Sequence, residues 1–524
     1  MITLAALSGP VPEAGVVVAA VLVALALVHS DARARAAAML GALVLAPALL
    51  LADIWNSPQL SIIHRHPLLA AALALAGLAV VALVAIQIAR RPWLLAPLVT
   101  FALPFRVPIS TGGTTVNLLV PLYLVVGAGT LAFIVPALRG RPSSPQDNGV
   151  ADTPPPALWV ERLLALYVVL YAIQAVYSAD FEKALQQMAF FYVPFALMFC
   201  LLRRLRWTGQ LLRQCLMLVV GLALIFVGIG FVEYATKSLL LNPKLIAENN
   251  VHTYFAINSV FFDPDIFGRF LALVMIILAA VLLYARRQQD QRISTVALAA
   301  LWGGLVLTLS RSSLGALLVG LGILGAMRWK ARPVLLATVA VIVIGAAAVA
   351  QFPQTFGLNQ GLNGASSGRA GLVSGGLQLF GDRPLWGYGS GSFQNEYFCR
   401  IQHQCPTTST TVNCPNLCAS HTIAVTIAAE QGLIGELPYI ALVIAAGVML
   451  VQGARYDPAR AAVAAAFLAL VFHTQLYADF LEDPVSWTLL AAGIALAYAA
   501  RTRVSAVATP TGELATVAQS AATG

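Results

Sequence analysis

Long apolar stretches recur along almost the whole of this 524-residue chain. There are about fifteen of them, most of roughly 16–22 residues, and a helix of about 20 residues spans the hydrocarbon core of a bilayer. Only 10% of the residues are charged, against about a quarter in soluble domains, which excludes a water-soluble enzyme. The sequence therefore predicts an all-α polytopic membrane protein with about 12–15 transmembrane helices. The stretches lie near 14–29, 36–53, 67–89, 93–105, 117–138, 158–176, 185–202, 212–235, 265–285, 293–309, 313–327, 334–351, 432–452, 460–477 and 484–500.

The positions of the basic residues predict how these helices are oriented. Arginines are concentrated in alternate connections, for example at 203, 204 and 206, and such an excess is typical of cytoplasmic loops. Topology therefore explains the formal net charge of +9, and no nucleic-acid partner is expected. The opposite side keeps fewer cations, and each of these requires either snorkelling or an anionic ligand.

Two polar segments divide the predicted bundle. Residues 139–157 form a Pro/Ser-rich cytoplasmic linker between the N-terminal helices of residues 1–138 and a transmembrane core of residues 158–500. Within the core, residues 352–431 form one large extracytoplasmic loop, and loops of this length are usually functional. The tail of residues 504–524 has too little apolar surface to order it and is expected to be disordered in the cytoplasm.

The six cysteines fall into two groups. Cys200 and Cys215 flank a cytoplasmic loop and are expected to be reduced thiols. The other four crowd into the large loop, where an oxidising compartment favours two disulfides with three alternative pairings. Zinc is the weaker alternative, because the spacing matches no usual zinc pattern. The loop cysteines are Cys399, Cys405, Cys414 and Cys418.

Two polar motifs enter apolar helices in the second half of the chain. Asp263-Pro264 indicates a helix start with Asp265 near the first turn, so that these carboxylates suit a helix cap, and Arg269, one turn further on, must either snorkel or meet an anion. The second motif is a turn in which Ser310 or Ser312 can cap the next helix. Alternatively, the Arg311 guanidinium, these hydroxyls and the helix N-terminus form a phosphate cradle, and two arginines together suit a diphosphate.

The third polar region runs from Ser366 to Glu436. Its residues 369–380 are predicted to form a short amphipathic helix, and Gly387, Gly389 and Gly391 indicate a tight turn. His421 begins the next helical segment, where a cap or solvated residue is the simpler interpretation. Near a diphosphate site, the same imidazole becomes a candidate general base.

Four segments, in this order along the chain, resemble the O-antigen ligase and polymerase superfamily. The resemblance covers roughly residues 160–500 and implies a C-type glycosyltransferase-like fold. It also implies an enzyme of the bacterial cytoplasmic (inner) membrane, with its active site on the extracytoplasmic face. The segments are FFDPDIFGRFLAL, LTLSRSSLGALLVGLGIL, SGRAGLVSGGLQLFGDRPLWGYGSGSF and SHTIAVTIAAEQGLIGELPYIALV.

The resemblance implies that a glycan passes from undecaprenyl diphosphate to an acceptor hydroxyl, with inversion and without a metal or cofactor. His421 would be the catalytic base, and Arg269 and Arg311 would bind the diphosphate beside Ser310 and Ser312. Arg369 and Arg383 are further candidates for the diphosphate or for acidic sugars, although an exposed loop cation is the simpler interpretation of both, and Glu430 is a candidate for the acceptor groove. The expected partners are the lipid-linked donor, a lipid or glycan acceptor and membrane lipids.

Two alternatives remain open at this point. Ligases and polymerases use the same donor and differ only in the acceptor. A transporter or flippase of lipid-linked glycans would also have many helices and internal cations, but the chain has no convincing internal repeat, and the candidate residues gather at one face of the membrane.

Overall fold

The architecture comes from a computed structural model, which describes most of the helical chain. The described residues are 9–55, 65–111, 114–140, 155–240, 255–329, 368–403, 419–477 and 479–508, with scattered positions between 332 and 351. Most of the predicted linker, the predicted span at 334–351, the first part of the large loop and most of the tail therefore lie outside the described residues. So do Cys405, Cys414 and Cys418.

Helices dominate the described part of the chain. Nine of them there are long and apolar enough to cross a membrane, and three shorter apolar helices accompany them. The predicted all-α polytopic fold is thereby confirmed. The helices are α1 (Pro10–Val28), α2 (Ala32–Ile54), α3 (Pro67–Arg90), α4 (Leu95–Ala102), α5 (Val120–Leu138), α6 (Pro155–Ala175), α7 (Phe181–Leu202), α8 (Gly209–Thr236), α9 (Pro264–Tyr284), α10 (Gln288–Leu307), α11 (Arg311–Arg328), α12 (Arg369–Asp382), α13 (Phe393–Glu396), α14 (Ile423–Val451), α15 (Pro458–Thr474) and α16 (Pro484–Ala508).

Polar caps fix where the functional helices begin. The Asp263 carboxylate accepts a hydrogen bond from the backbone N–H of Asp265 (2.6 Å), and Pro264 occupies the first turn of α9, where a missing N–H costs nothing. Ser310 caps α11 in the same way, by accepting from the N–H of Ser313. The predicted starts of these helices are therefore correct to within two residues.

A short β-hairpin interrupts the helices. Strand β1 (Val107–Thr111) pairs antiparallel with β2 (Thr114–Leu118), with Val107 opposite Leu118. The sequence interpretation overlooked this element. The signal was present in β-branched residues such as Val107, Ile109 and Val116, which favour strands over helices.

Helix α14 begins nine residues before the predicted span at 432, because two helical pieces join across a kink. Gly432 has a φ of 61° at the junction. A side chain at this position would meet the Leu385 carbonyl group at 2.5 Å. Only glycine combines this backbone conformation with so close an approach.

The second half of the chain brings the functional helices together. Helix α9 packs against α10, α11 and α15, while α14 packs against α6 and α12. As a result, the N-terminal ends of α9, α11 and α14 meet the C-terminal end of α15 at one end of the bundle. By contrast, only 6% of the apolar window of α3 is buried.

The two predicted disulfides stay a prediction, since Cys399 alone of the four loop cysteines is described. Cys200 and Cys215, by contrast, are buried free thiols, which agrees with the prediction for this pair.

Candidate functional site

Three serines at the start of α11 surround the carboxylate of Asp265. Ser310 Oγ donates to Asp265 Oδ1, and Ser312 Oγ lies 3.2 Å from the same oxygen. Ser313 Oγ donates to the Asp265 carbonyl oxygen at 3.3 Å. Gly268 permits this contact, because a Cβ there would lie 2.7 Å from Ser313 Oγ. Two motifs that looked independent in the sequence therefore form one hydrogen-bonded unit.

Arg369 connects this unit to two further elements. Its Nη2 lies 3.0 Å from Asp265 Oδ2, and its Nη1 donates to the carbonyl oxygen of Leu476 at 3.1 Å. The side chain is 36% exposed. Arg369 is thus held by its partners while part of the guanidinium still faces the exterior of the protein. Charge-assisted contacts of this kind fix an arginine geometrically as well as energetically.

His473 lies at the centre of the cluster, and the sequence interpretation missed it. Its Nε2 lies 3.3 Å from Ser312 Oγ and 3.2 Å from Ser313 Oγ. The residue is fully buried, and its Nδ1 has no hydrogen-bond partner among the described residues. An ionisable side chain within an otherwise apolar helix was the signal that could have identified it.

Tyr477 joins the two histidines of the cluster to Asp263. The ring of His421 lies 5.9 Å from the Tyr477 ring, and that of His473 lies 6.0 Å away. The Tyr477 hydroxyl donates to Asp263 Oδ2 at 2.8 Å. Burial and then the neighbouring charge of Asp265 raise the pKa of Asp263, while the Tyr477 hydrogen bond lowers it. Tyr477 therefore stabilises the ionised form of Asp263.

The backbone around the site adopts an uncommon conformation. His421 has a φ of 58°, and Ser259, Leu309 and Asp479 also have positive φ values. Non-glycine residues rarely adopt this left-handed region, and such residues concentrate at functional sites. The orientation of His421 is therefore fixed by the surrounding fold and does not follow from a regular helix.

Arg269 is buried and forms an ion pair with Asp483. The distance between Nη2 and the Asp483 carboxylate is 2.9 Å, and both side chains are at most 5% exposed. Of the two alternatives considered for Arg269, the structure thus shows an anionic partner, although that partner is a carboxylate of the protein. The Nη1 atom of Arg269 has no hydrogen-bond partner among the described residues. Arg311 differs, since its side chain is exposed at the first position of α11.

Glu430 and Arg383 belong to a second cluster, around the glycine turn. The buried Glu430 carboxylate accepts from the N–H of Gly391 (2.8 Å) and of Phe393 (3.1 Å). The Arg383 guanidinium lies 4.6 Å from the Tyr388 ring. The predicted tight turn is confirmed by positive φ values at its three glycines, Gly387, Gly389 and Gly391. In this arrangement Glu430 anchors the loop.

Comparison with known proteins places part of the first cluster in one family segment. Residues 295–440 match the family model described as O-antigen ligase. This segment contains the serine–arginine–serine turn, Arg369 and His421, whereas Asp265 and Arg269 precede it and His473 follows it. No curated protein matches the chain.

Proposed function

We propose, from the match of residues 295–440 to the O-antigen ligase family model, that the chain moves a glycan from undecaprenyl diphosphate to an acceptor hydroxyl. The observation that carries this proposal is the convergence of arginines, hydroxyls and a histidine at one end of the helix bundle. Arg369 and the serines share the Asp265 carboxylate, and His421 packs beside Tyr477 in the same cluster.

The arginines would hold the diphosphate of the donor. Arg311 is exposed and Arg369 is partly exposed, so both can reach a ligand. Arg269 is compensated by Asp483, and its contribution would come from the unpartnered Nη1. The leaving diphosphate gains negative charge as its bond to the sugar breaks, so cations at this position stabilise the transition state more than the ground state.

His421 would act as the general base. It would take the proton of the acceptor hydroxyl while the acceptor oxygen bonds to the anomeric carbon and the bond from this carbon to the diphosphate oxygen breaks. Attack from the side opposite the leaving group inverts the anomeric centre. In this proposal the active site lies on the extracytoplasmic face of a bacterial inner membrane, where the lipid-linked donor is accessible.

The first experiment compares two histidines in proteoliposomes that contain a defined undecaprenyl diphosphate glycan and candidate acceptors. His421 and His403 both have a left-handed backbone, with φ values of 58° and 56°, and asparagine tolerates this conformation. We expect His421→Asn to slow the release of undecaprenyl diphosphate by about 10²–10⁴-fold. His403→Asn is the matched control and should retain activity.

The products of the same reaction separate the remaining functions. A ladder of glycan lengths indicates a polymerase, and a single transfer to a lipid indicates a ligase. Full activity of His421→Asn would contradict the assignment of the base. Movement of intact donor between leaflets without cleavage would instead favour a transporter and would overturn the proposed reaction.

A further inference from the structure

The turn that follows α12, residues 383–386, is exposed. The two apolar residues at its end, Leu385 and Trp386, are 57% and 60% exposed. Large apolar side chains on a loop of this kind are costly in water. The turn therefore needs an environment other than bulk solvent.

The backbone of this turn is firmly held, so the exposure of its side chains does not result from a loose segment. The N–H of Leu433 donates to the Pro384 carbonyl oxygen at 2.8 Å, and the Tyr177 hydroxyl donates to the Trp386 carbonyl oxygen at 2.7 Å. The kink at Gly432 lets the Leu385 backbone lie directly against α14. The backbone thus faces the protein while the side chains of Leu385 and Trp386 face outward.

An exposed apolar stripe along α14 begins where the turn is attached. Its members recur at helical spacing along one side of the helix, and each is at least 37% exposed. The first and last members are 18 positions apart, which corresponds to about 27 Å of helix, close to the roughly 30 Å of a hydrocarbon core. The stripe consists of Leu433, Leu437, Ile440, Ile444, Val448 and Val451.

Since the turn is bonded to the first member of this lipid-facing stripe, it lies at one boundary of the hydrocarbon core. Tryptophan prefers this boundary, and cations beside it meet lipid phosphates. Arg383, which stacks on Tyr388 next to the turn, supplies such a cation. We propose that Leu385 and Trp386 insert into the interface of the membrane that α14 crosses, with Arg383 at the level of the phosphates.

Depth-dependent fluorescence quenching tests this proposal on the full chain in nanodiscs. The lipids carry a quencher either near the headgroup or deep in the acyl chains, and iodide quenches from water. Trp386→Phe removes one of the eight tryptophans and should remove about an eighth of the emission, mainly from the fraction quenched by the shallow lipid probe. Leu385→Trp adds a reporter to the same turn and should increase that fraction.

Trp302 provides a matched control. It is 49% exposed and lies five residues inside the end of α10, about 7.5 Å from that end along the helix. Trp302→Phe should therefore reduce the fraction quenched by the deep probe. If the Trp386 emission is quenched by iodide and by neither lipid probe, the turn faces water and the proposal is wrong. This result is independent of whether the protein transfers glycans.

Discussion

At the scale of single residues, Asp265 determines how the candidate site is arranged. Its two carboxylate oxygens have different partners. Oδ1 accepts hydrogen bonds from the serine hydroxyls at the start of α11, and Oδ2 forms an ion pair with Arg369. A carboxylate shared in this way couples the position of a cation to the position of a helix end. Its first role is therefore positional, and the chemistry would depend on the groups that it holds.

Asp265→Asn tests this role. The amide keeps the shape of the side chain but loses the charge that holds Arg369, and misplacement of a binding group by about 1 Å can cost roughly 10²-fold in rate. We expect glycan transfer to fall by about 10–100-fold. Because Arg369 is partly exposed, the free energy of unfolding should change by only about 0–1 kcal/mol. Glu396→Gln, which removes the Arg400 ion pair elsewhere, should leave transfer unchanged.

Glu482 predicts a pH dependence of stability. Burial, and next the charge of Asp479, raise the pKa of this carboxyl to about 8. The unfolded chain releases this proton at lower pH than the folded one, so the contribution of Glu482 to stability falls as the pH rises from about 4.5 to about 8. Glu482→Gln should therefore raise the apparent melting temperature at pH 8 more than at pH 5. An equal effect at both pH values would contradict the raised pKa.

At the scale of elements, the kink in α14 separates the part of the helix that faces the site from the part that faces lipid. Residues before Gly432 anchor the glycine turn through Glu430, and residues after it form the apolar stripe. One helix thus contacts the candidate site with its first part and carries the exposed apolar stripe on its second part. A straight helix would displace either the turn or the stripe.

Gly432→Ala should disrupt both. A methyl group at this position would approach the Leu385 backbone to 2.5 Å, and the backbone conformation of Gly432, with φ 61° and ψ −162°, costs about 1–3 kcal/mol for a residue other than glycine. We expect a lower melting temperature and reduced transfer. Gly447→Ala is the matched control in the same helix, since its nearest neighbour lies at 3.6 Å. Comparable losses in both variants would show that the kink has no special role.

Local patterns predicted the elements better than the contacts between them. The caps of α9 and α11 and the glycine turn follow from neighbouring residues, and the sequence identified all three. His473 and Tyr477 were missed, because their importance arises from Ser312 and Asp263, which lie far away in the chain. Arg269 was noted, but its partner Asp483 lies more than 200 residues further along the chain and could not be assigned to it from local patterns.

At the scale of the whole molecule, the Arg269–Asp483 pair connects α9 to the start of α16. Removing one partner of a buried pair leaves an uncompensated charge and typically costs about 3–5 kcal/mol, whereas replacing both by apolar residues is often close to neutral. We expect Arg269→Met alone to be strongly destabilised and the double variant with Asp483→Leu to recover most of the stability, measured by thermal unfolding in nanodiscs.

The same pair of variants separates structure from function. If Arg269 also binds the donor, the double variant should remain inactive despite its recovered stability. Recovery of both stability and transfer would show that Arg269 is purely structural and would assign the diphosphate to Arg311 and Arg369 alone.

The sequence separation within the cluster determines when it can form during biosynthesis. The cluster links Asp263, Asp265, Arg369, His473 and Tyr477. Its members are spread over more than 200 residues, from Asp263 to Tyr477. At roughly 5–20 residues per second, a ribosome needs about 10–40 s to make such a segment. Until the end of this interval the nascent chain contains Asp263 and Asp265 but lacks His473 and Tyr477. The cluster therefore cannot form until nearly all of the helices have been synthesised.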